Sequence, residues 1–260
     1  MASNDPLSTN VREAGKKPGR GTGRRFRGSI ARWLGSAILS GEYEPGTILS
    51  GEVLFSESLD VSRGAYREAV QVLTAKGLIE SRPKIGTRVL PRSSWNLLDP
   101  EVLAWAFSGE PDITFIRNLF ELRAIFEPAA AALAAQRRNR AELKVIKDAL
   151  SAMTRHSLAT EAGRIADRDF HDAILRATHN DTLMVLSSSI GAAVNWTTLF
   201  KQRAGALPRD PIPDHRQVYE SIAAGNPEGA RQAMHNLVHL AFTDIHDPGP
   251  LDTDSAIDTL

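Results

Sequence analysis

Hydrophobic residues recur with helical spacing along most of the chain. From Phe26 they return every three or four positions, and the same spacing appears at 52–59 and again after Ser62. Such spacing places the apolar side chains on one face of a helix. At 79–89 the pattern changes to alternation around a glycine, which is typical of a β-hairpin. The order predicts three helices followed by a two-stranded hairpin.

The second half of the chain shows helical spacing throughout. The predicted helices are separated by polar, glycine or proline breaks and cover 112–137, 140–158, 161–178, 181–204, 214–224 and 227–245. Residues 92–111 are predicted to form a linker with a short helix. The predicted fold is therefore mainly α, with an N-terminal winged helix-turn-helix in 26–91 and a C-terminal all-helical bundle in 112–246.

The two ends of the chain lack apolar periodicity. Residues 1–25 are rich in Gly, Ser, Asn, Lys and Arg, and we expect a disordered basic arm. Such an arm either adds nonspecific phosphate contacts or is an unremarkable flexible terminus. Residues 247–260 are expected to be a disordered tail.

Composition narrows the class of protein. A chain of 260 residues, 42% hydrophobic and 24% charged, favours two domains. No apolar run approaches the roughly 20 residues of a membrane helix, and the polar start lacks the apolar middle of a secretory signal. The absence of cysteine excludes disulfides and cysteine metal sites. We expect a cytoplasmic protein that makes no membrane contact.

The zero net charge hides two unlike halves. Residues 1–92 contain 15 Lys and Arg against 9 Asp and Glu, a net charge of +6, which leaves −6 for residues 93–260. A basic domain of this kind favours a nucleic-acid partner.

Two arginines lie one turn apart at the start of the third predicted helix. Arg63 and Arg67 follow Ser62, and Lys84 lies at the tip of the hairpin. A single helix arginine is more often solvated or paired, and Glu68 is a candidate partner. The joint spacing and the basic half favour DNA, because the guanidinium fork suits guanine edges and phosphates.

The segments GEYEPGTIL and VSRGAYREAVQVLTAKGLIESRPKIGTRV together resemble the DNA-binding domain of the GntR family of bacterial transcription regulators. This resemblance covers about residues 26–91. It implies operator contacts by Ser62, Arg63, Arg67, Lys84, Gly86 and Thr87. Many members have an arginine where this chain has Val53, so we expect an operator that differs from the commonest one of the family.

The helical half resembles the effector domain of the FadR branch of this family. The residues that carry the resemblance are Glu121-Leu122-Arg123, Glu127-Pro128, Asp167, Phe170-His171, Asp214-His215 and the segment 225–234. The linker WNLLDPEVLAW resembles the subgroup of sugar-acid regulators that respond to galactonate.

Asp167 and His171 lie four residues apart and share one helix face. Such a pair can hold a cation or a polar ligand, although it is more often a surface pair or a satisfied core histidine. The resemblance implies one divalent metal (Zn, Ni or Mn) held by an aspartate and three histidines, with His215 as the third ligand. The fourth position falls at Leu237, which cannot coordinate. Either three residues hold the metal, or they bind the effector directly.

Arg123 lies among apolar residues, so it requires an anionic partner. One alternative is an ion pair with Glu121 or Glu127. The other, which the resemblance favours, is the carboxylate of an organic acid. The predicted effector-binding residues are Arg123, Asp167, His171, His215 and Asn195.

These patterns predict a ligand-responsive transcription regulator that is not an enzyme. We expect a homodimer that binds a palindromic operator, and a repressor of a sugar-acid catabolic operon that its acid effector releases from DNA. The alternatives are a regulator of another acid (lactate, an amino acid or an acyl thioester), a metal-dependent hydrolase, and a DNA-bridging protein without a ligand.

Overall fold

The computed structural model describes residues 29–59, 61–83, 86–203 and 209–245. The chain forms two compact units. The first contains the residues up to 34 together with 44–94, and the second contains 35–43 together with the residues from 95 onward. The predicted arm and tail lie outside the described residues, as does Lys84.

The described residues of the first unit form three α-helices, a short 3-10 helix (Arg92–Ser94) and a small antiparallel sheet. Its elements are α1 (Ser29–Leu39, which continues into the second unit), β1 (Ile48–Leu49), α2 (Glu52–Leu59), α3 (Arg63–Ala75), β2 (Ile79–Arg82) and β3 (Gly86–Val89). The strand order is β1-β3-β2, with Ile48 opposite Arg88 and Ile79 opposite Val89. The predicted two-stranded hairpin was therefore incomplete. A two-residue strand is too short to show an alternating pattern.

The sequence sets both ends of α3. The hydroxyl of Ser62 accepts a hydrogen bond from the backbone N–H of Ala65 and so caps the helix. Tyr66, Ala69 and Leu73 are buried along one face. The opposite face, which carries the two arginines, is therefore left to solvent.

The second unit is helical throughout its described residues. Its helices are α4 (Pro100–Ala106), α5 (Ile113–Arg137), α6 (Arg140–His156), α7 (Glu161–Arg176), α8 (Asp181–Met184), α9 (Ser187–Arg203), α10 (Ile212–Ala223) and α11 (Pro227–Thr243). The helix predicted over 181–204 is broken between α8 and α9, where the uninterrupted apolar pattern gave no sign of a break. The mainly α fold is confirmed.

Helix α5 lies at the centre of this unit and packs against α7, α9, α10 and α11. Its second half carries a run of buried alanines at 130–132 and 134–135. Because alanine has only a methyl side chain, neighbouring helices can approach closely. In the described part of the chain, no helix is long and apolar enough to cross a lipid bilayer.

Candidate functional site

Eight polar side chains from four helices lie near one another in the interior of the second unit, and we call them the interior cluster. They are Arg123 and Glu127 of α5, Asp167 and His171 of α7, Thr197, Thr198 and Lys201 of α9, and His215 of α10. Every one of these side chains is at least nine-tenths buried. Burying charge is costly unless each group is paired, so the pairing decides what the cluster can do.

Asp167, His171 and His215 form the centre of the cluster. Oδ1 of Asp167 lies 3.0 Å from Nε2 of His215 and 3.6 Å from Nε2 of His171. One ligand atom from each residue lies within 4.8 Å of the other two. The hydroxyl of Thr198 donates to the second oxygen of Asp167 at 3.4 Å. The three metal ligands predicted from the sequence therefore meet in the structure.

The second nitrogen of each histidine faces an oxygen. Nδ1 of His215 lies 2.8 Å from the carbonyl oxygen of Pro211, to which its N–H donates. Nδ1 of His171 lies 2.7 Å from Oε2 of Glu127, although neither atom has a partner of good hydrogen-bond geometry. Carbonyl and carboxylate partners at Nδ1 are what metal-binding histidines usually have, because they leave Nε2 for the cation. The donor set therefore fits a divalent cation.

The carboxylate of Glu127 balances the positive charge of Arg123, which lies on the same helix, α5. Nε of Arg123 donates to its Oε1 at 2.6 Å, while Nη1 of Arg123 donates to the hydroxyl of Thr197 at 3.0 Å. The sequence left two partners open for Arg123, and the structure pairs it with Glu127. The predicted contact of Arg123 with an effector stays a prediction.

These contacts set the protonation states. Burial alone raises the pKa of Glu127, but Arg123 and His171 outweigh it and lower that pKa to about 2. Burial lowers the pKa of His171, yet Glu127 and Asp167 raise it to about 9. Burial raises the pKa of Asp167, and hydrogen bonding to the two histidines brings it below its ordinary value. Without a cation, the interior therefore holds opposite charges side by side.

Lys201 is the cluster residue that sequence reasoning missed, together with Thr197 and Thr198. Its side chain is 8% exposed, and Nζ lies 3.9 Å from Oδ2 of Asp244, at the outer limit of an ion pair. Burial lowers the pKa of Lys201 to about 8. Helical spacing on α9 was the available signal, because Lys201 follows Thr197 by four residues.

Asn195 lies apart from the interior cluster. It lines a cleft of about 770 Å³, with Ile165, Arg168 and Trp196 among the other lining residues. Asn195 precedes Thr197 by two positions, which rotates its side chain by roughly 200° around α9. The structure therefore does not bring Asn195 to the other predicted effector residues.

The position where the resemblance implies a fourth ligand is apolar and buried. Leu237 is 2% exposed in the core. The flanking His235 is half-buried and His239 is exposed, and their rings stack with centroids 6.3 Å apart. His235 and His239 are each two positions from Leu237, so their side chains leave α11 on a different side. The cluster therefore has three candidate ligands among the described residues.

The predicted DNA-contacting residues differ in their exposure and in their contacts within the protein. Arg63 and Arg67 are exposed on α3, and Nε of Arg67 pairs with Oε2 of Glu52 at 2.9 Å. Gly86 begins β3 in the hairpin of β2 and β3, which is the wing. Its φ of +94° is a backbone conformation that favours glycine. By contrast, the Ser62 hydroxyl caps α3, and the Thr87 side chain is buried.

Val53, where many members of the resembled family have arginine, is 44% exposed on α2. Position 53 therefore adds no charge to α2, and the neighbouring Glu52 pairs with Arg67 of α3.

Two family models match the chain. The model of bacterial regulatory proteins of the gntR family matches residues 27–89, and the model of the FCD domain matches residues 118–240. The matched ranges coincide with the helix-turn-helix unit and with the helices that build the interior cluster.

Curated relatives cover most of the chain. The galactonate operon transcriptional repressor of Escherichia coli K12 is 34% identical over 208 residues, which are 79% of this chain and 90% of that protein. A putative L-lactate dehydrogenase operon regulatory protein of the same organism is 30% identical over 236 residues, 84% of this chain and 85% of that protein.

A solved structure has the same fold. Lar, which controls the expression of the Listeria monocytogenes agr system, aligns with a TM-score of 0.61 at 21% identity. The alignment covers 84% of this chain and 95% of that chain.

Proposed function

Because the chain belongs to the GntR family of bacterial transcription regulators and carries an FCD domain, we propose that it represses a sugar-acid catabolic operon. The acid effector binds the interior cluster and releases the protein from its operator. The families and relatives are transcription regulators, not enzymes, so a metal-dependent hydrolase is disfavoured.

The buried charge of the interior cluster is the observation that carries this proposal. Packing apolar residues of similar size in place of buried ion pairs is often neutral or stabilising. A cluster that keeps Asp167, His171, Glu127 and Arg123 together is therefore better explained by a ligand than by stability. Oxygen-rich acids suit it, because their hydroxyls and carboxylate match both signs of charge.

Asp167, His171 and His215 are the proposed metal ligands. The contacts at both Nδ1 atoms support this assignment, since they orient Nε2 toward Asp167. Zinc, nickel or manganese accepts such nitrogen and oxygen ligands. When bound, the cation would supply a Lewis-acid centre for carboxylate or hydroxyl oxygens of the effector. Arg123 remains a proposed effector contact, whereas Asn195 lines the separate cleft and is not proposed as one.

In the proposed operator complex, α3 and the wing read the DNA. Arg63 and Arg67 contact base edges or phosphates, and Ser62, Gly86, Thr87 and Lys84 contact the backbone. Ser62 and Thr87 then act through their backbone groups, because the Ser62 hydroxyl is engaged in capping α3 and the Thr87 side chain is buried. A homodimer with two such units would recognise a palindrome.

Release follows if the effector binds one arrangement of the dimer better than the other. A ligand with equal affinity for both arrangements would shift nothing. The acid must therefore bind more tightly to the arrangement that does not fit DNA.

The test begins with selection of preferred duplexes from random double-stranded DNA. A palindromic consensus with salt-dependent binding is expected. Galactonate should then release the protein from this duplex. Release by lactate alone would move the proposal to another acid, and a complex that persists with every acid would contradict the effector role.

A further inference from the structure

Helix α9 contributes three polar residues to the interior cluster, and all three lie on one face of the helix. Thr197 accepts a hydrogen bond from Arg123, and Thr198 donates one to Asp167. Lys201 follows these residues by four and three positions, so its side chain leaves the same face one turn later. The helix that contacts the centre of the cluster thus also carries a buried cation at its edge.

The cations of this region differ in how well they are paired. Arg123 has Glu127 at 2.6 Å. Arg209 pairs with Asp214 and, at 3.2 Å, with Asp244. Among the described residues, the one ion pair of Lys201 is with that same Asp244, at the longer distance of 3.9 Å. Lys201 is therefore the cation with the least compensation.

A buried ammonium without a close anion is costly, and binding an anion would relieve that cost. Arg123 is less available, because an incoming carboxylate would have to compete with Glu127 for its guanidinium. The lysine side chain has a further advantage. Its charge is compact and lies on a flexible stem, so it can turn toward a ligand without breaking a bidentate pair.

We propose that Lys201 binds the carboxylate of the effector and so makes the site selective for acids over neutral polyols. This rests on the proposed function of the interior cluster as the effector site. The lowered pKa of Lys201 agrees with an ammonium that lacks a close counter-charge, and an arriving carboxylate favours the protonated form.

The experiment compares an acid with its neutral counterpart. Galactonate and galactitol share their hydroxyl groups at C2–C6, and only galactonate carries a carboxylate. Lactate and propane-1,2-diol form a second pair of this kind. Isothermal titration calorimetry of the full-length protein gives the Kd of each compound for wild type, Lys201→Met, Lys201→Arg and the control Lys144→Met. Lys144 is an exposed lysine on α6.

In wild type, one acid should bind more tightly than its neutral counterpart. Lys201→Met should weaken that acid about tenfold or more, as expected for loss of a charged hydrogen bond, and leave the neutral compound within about twofold. Lys201→Arg should recover part of the preference, and Lys144→Met should match wild type. A purely structural role would weaken acid and polyol alike.

Two results would overturn the inference, and they are distinguishable. If wild type prefers the acid and Lys201→Met keeps that preference, Lys201 is not the carboxylate partner, while the proposed function stands. If wild type binds neither acid, the sugar-acid effector fails together with the inference. Should Lys201→Met not fold, Asp244→Asn tests the inference through the ion-pair partner of Lys201 instead. Removing the competing carboxylate should strengthen acid binding, and an unchanged or weaker affinity would contradict the role of Lys201.

Discussion

His215 approaches Asp167 from a different helix, with Nε2 3.0 Å from Oδ1. The backbone carbonyl of Pro211 holds the opposite side of the imidazole ring at 2.8 Å. With Nδ1 donating to that carbonyl, Nε2 is the nitrogen that faces the carboxylate and is available to a shared cation. The geometry therefore commits Nε2 of His215 to the same site as Asp167.

Removing a bound metal should destabilise the protein. A ligand present at 100 times its Kd stabilises the folded state by about 2.7 kcal/mol, which corresponds to about 5–10 °C in Tm for a domain of this size. We expect a chelator to lower Tm by about this amount and Zn²⁺ or Ni²⁺ to restore it. His215→Ala should lose stoichiometric metal by elemental analysis, whereas His239→Ala should keep it. A wild-type protein that binds no metal after reconstitution would exclude the site.

Restoring the fourth histidine should tighten metal binding. Leu237→His places an imidazole in a buried position, which should cost about 1–3 kcal/mol in the metal-free protein. Added Zn²⁺ should recover that loss, as measured by urea unfolding with and without metal. A variant that is equally unstable in both conditions would show that position 237 does not reach the cation.

Glu127→Gln should be among the most damaging substitutions in the bundle. It leaves the buried Arg123 without its anion, and breaking a buried pair in this way costs about 3–5 kcal/mol. Glu121→Gln, six residues earlier on α5 and partly exposed, should stay within about 0.5 kcal/mol of wild type. Equal unfolding midpoints for the two variants would contradict the assignment of Glu127 as the balancing charge.

The lowered pKa of Glu127 predicts that the stability of the protein depends on pH. The pKa of this carboxylate is lowered from 4.5 to about 2 in the folded protein. The stability it contributes is therefore complete above about pH 4.5 and is lost as the pH falls toward 2. Wild type should lose more stability than Glu127→Gln across this window, as followed by denaturant unfolding. Parallel curves would show that another group governs acid sensitivity.

Arg67→Ala should weaken operator binding about 10–100-fold, as expected for a lost base or phosphate contact of about 1–3 kcal/mol. Effector binding should be unchanged, because Arg67 belongs to the other unit. Fluorescence anisotropy with the selected duplex measures the first quantity and calorimetry the second. Arg231→Ala, an exposed arginine on α11, serves as the control and should bind DNA normally.

Several features followed from residue spacing and others did not. The helical periods predicted most elements, because amphipathic faces repeat over many residues. The break between α8 and α9 escaped this method, as did the two-residue strand at Ile48. Each is too short for a period to develop, and both depend on contacts made elsewhere in the fold.

The interior cluster shows the same limit at the level of side chains. Asp167 and His171 were predicted as a pair because they lie four positions apart on one helix. Lys201 was missed because its importance depends on its burial and on Asp244 at the end of α11, neither of which its own helix reveals. The sequence likewise could not decide whether Glu121 or Glu127 pairs with Arg123. Both lie within four positions of the arginine on the same helix, so only the structure distinguishes them.

Glu127 divides its two oxygens between Arg123 and His171. A substitution at either partner changes the charge balance felt by the other, so their effects on stability should not add. Among sequences that share this bundle, replacement of one residue would leave a surplus charge in the interior until the second changed. Arg123 and His171 are therefore expected to covary through a carboxylate that lies between them, although 48 positions separate them along the chain.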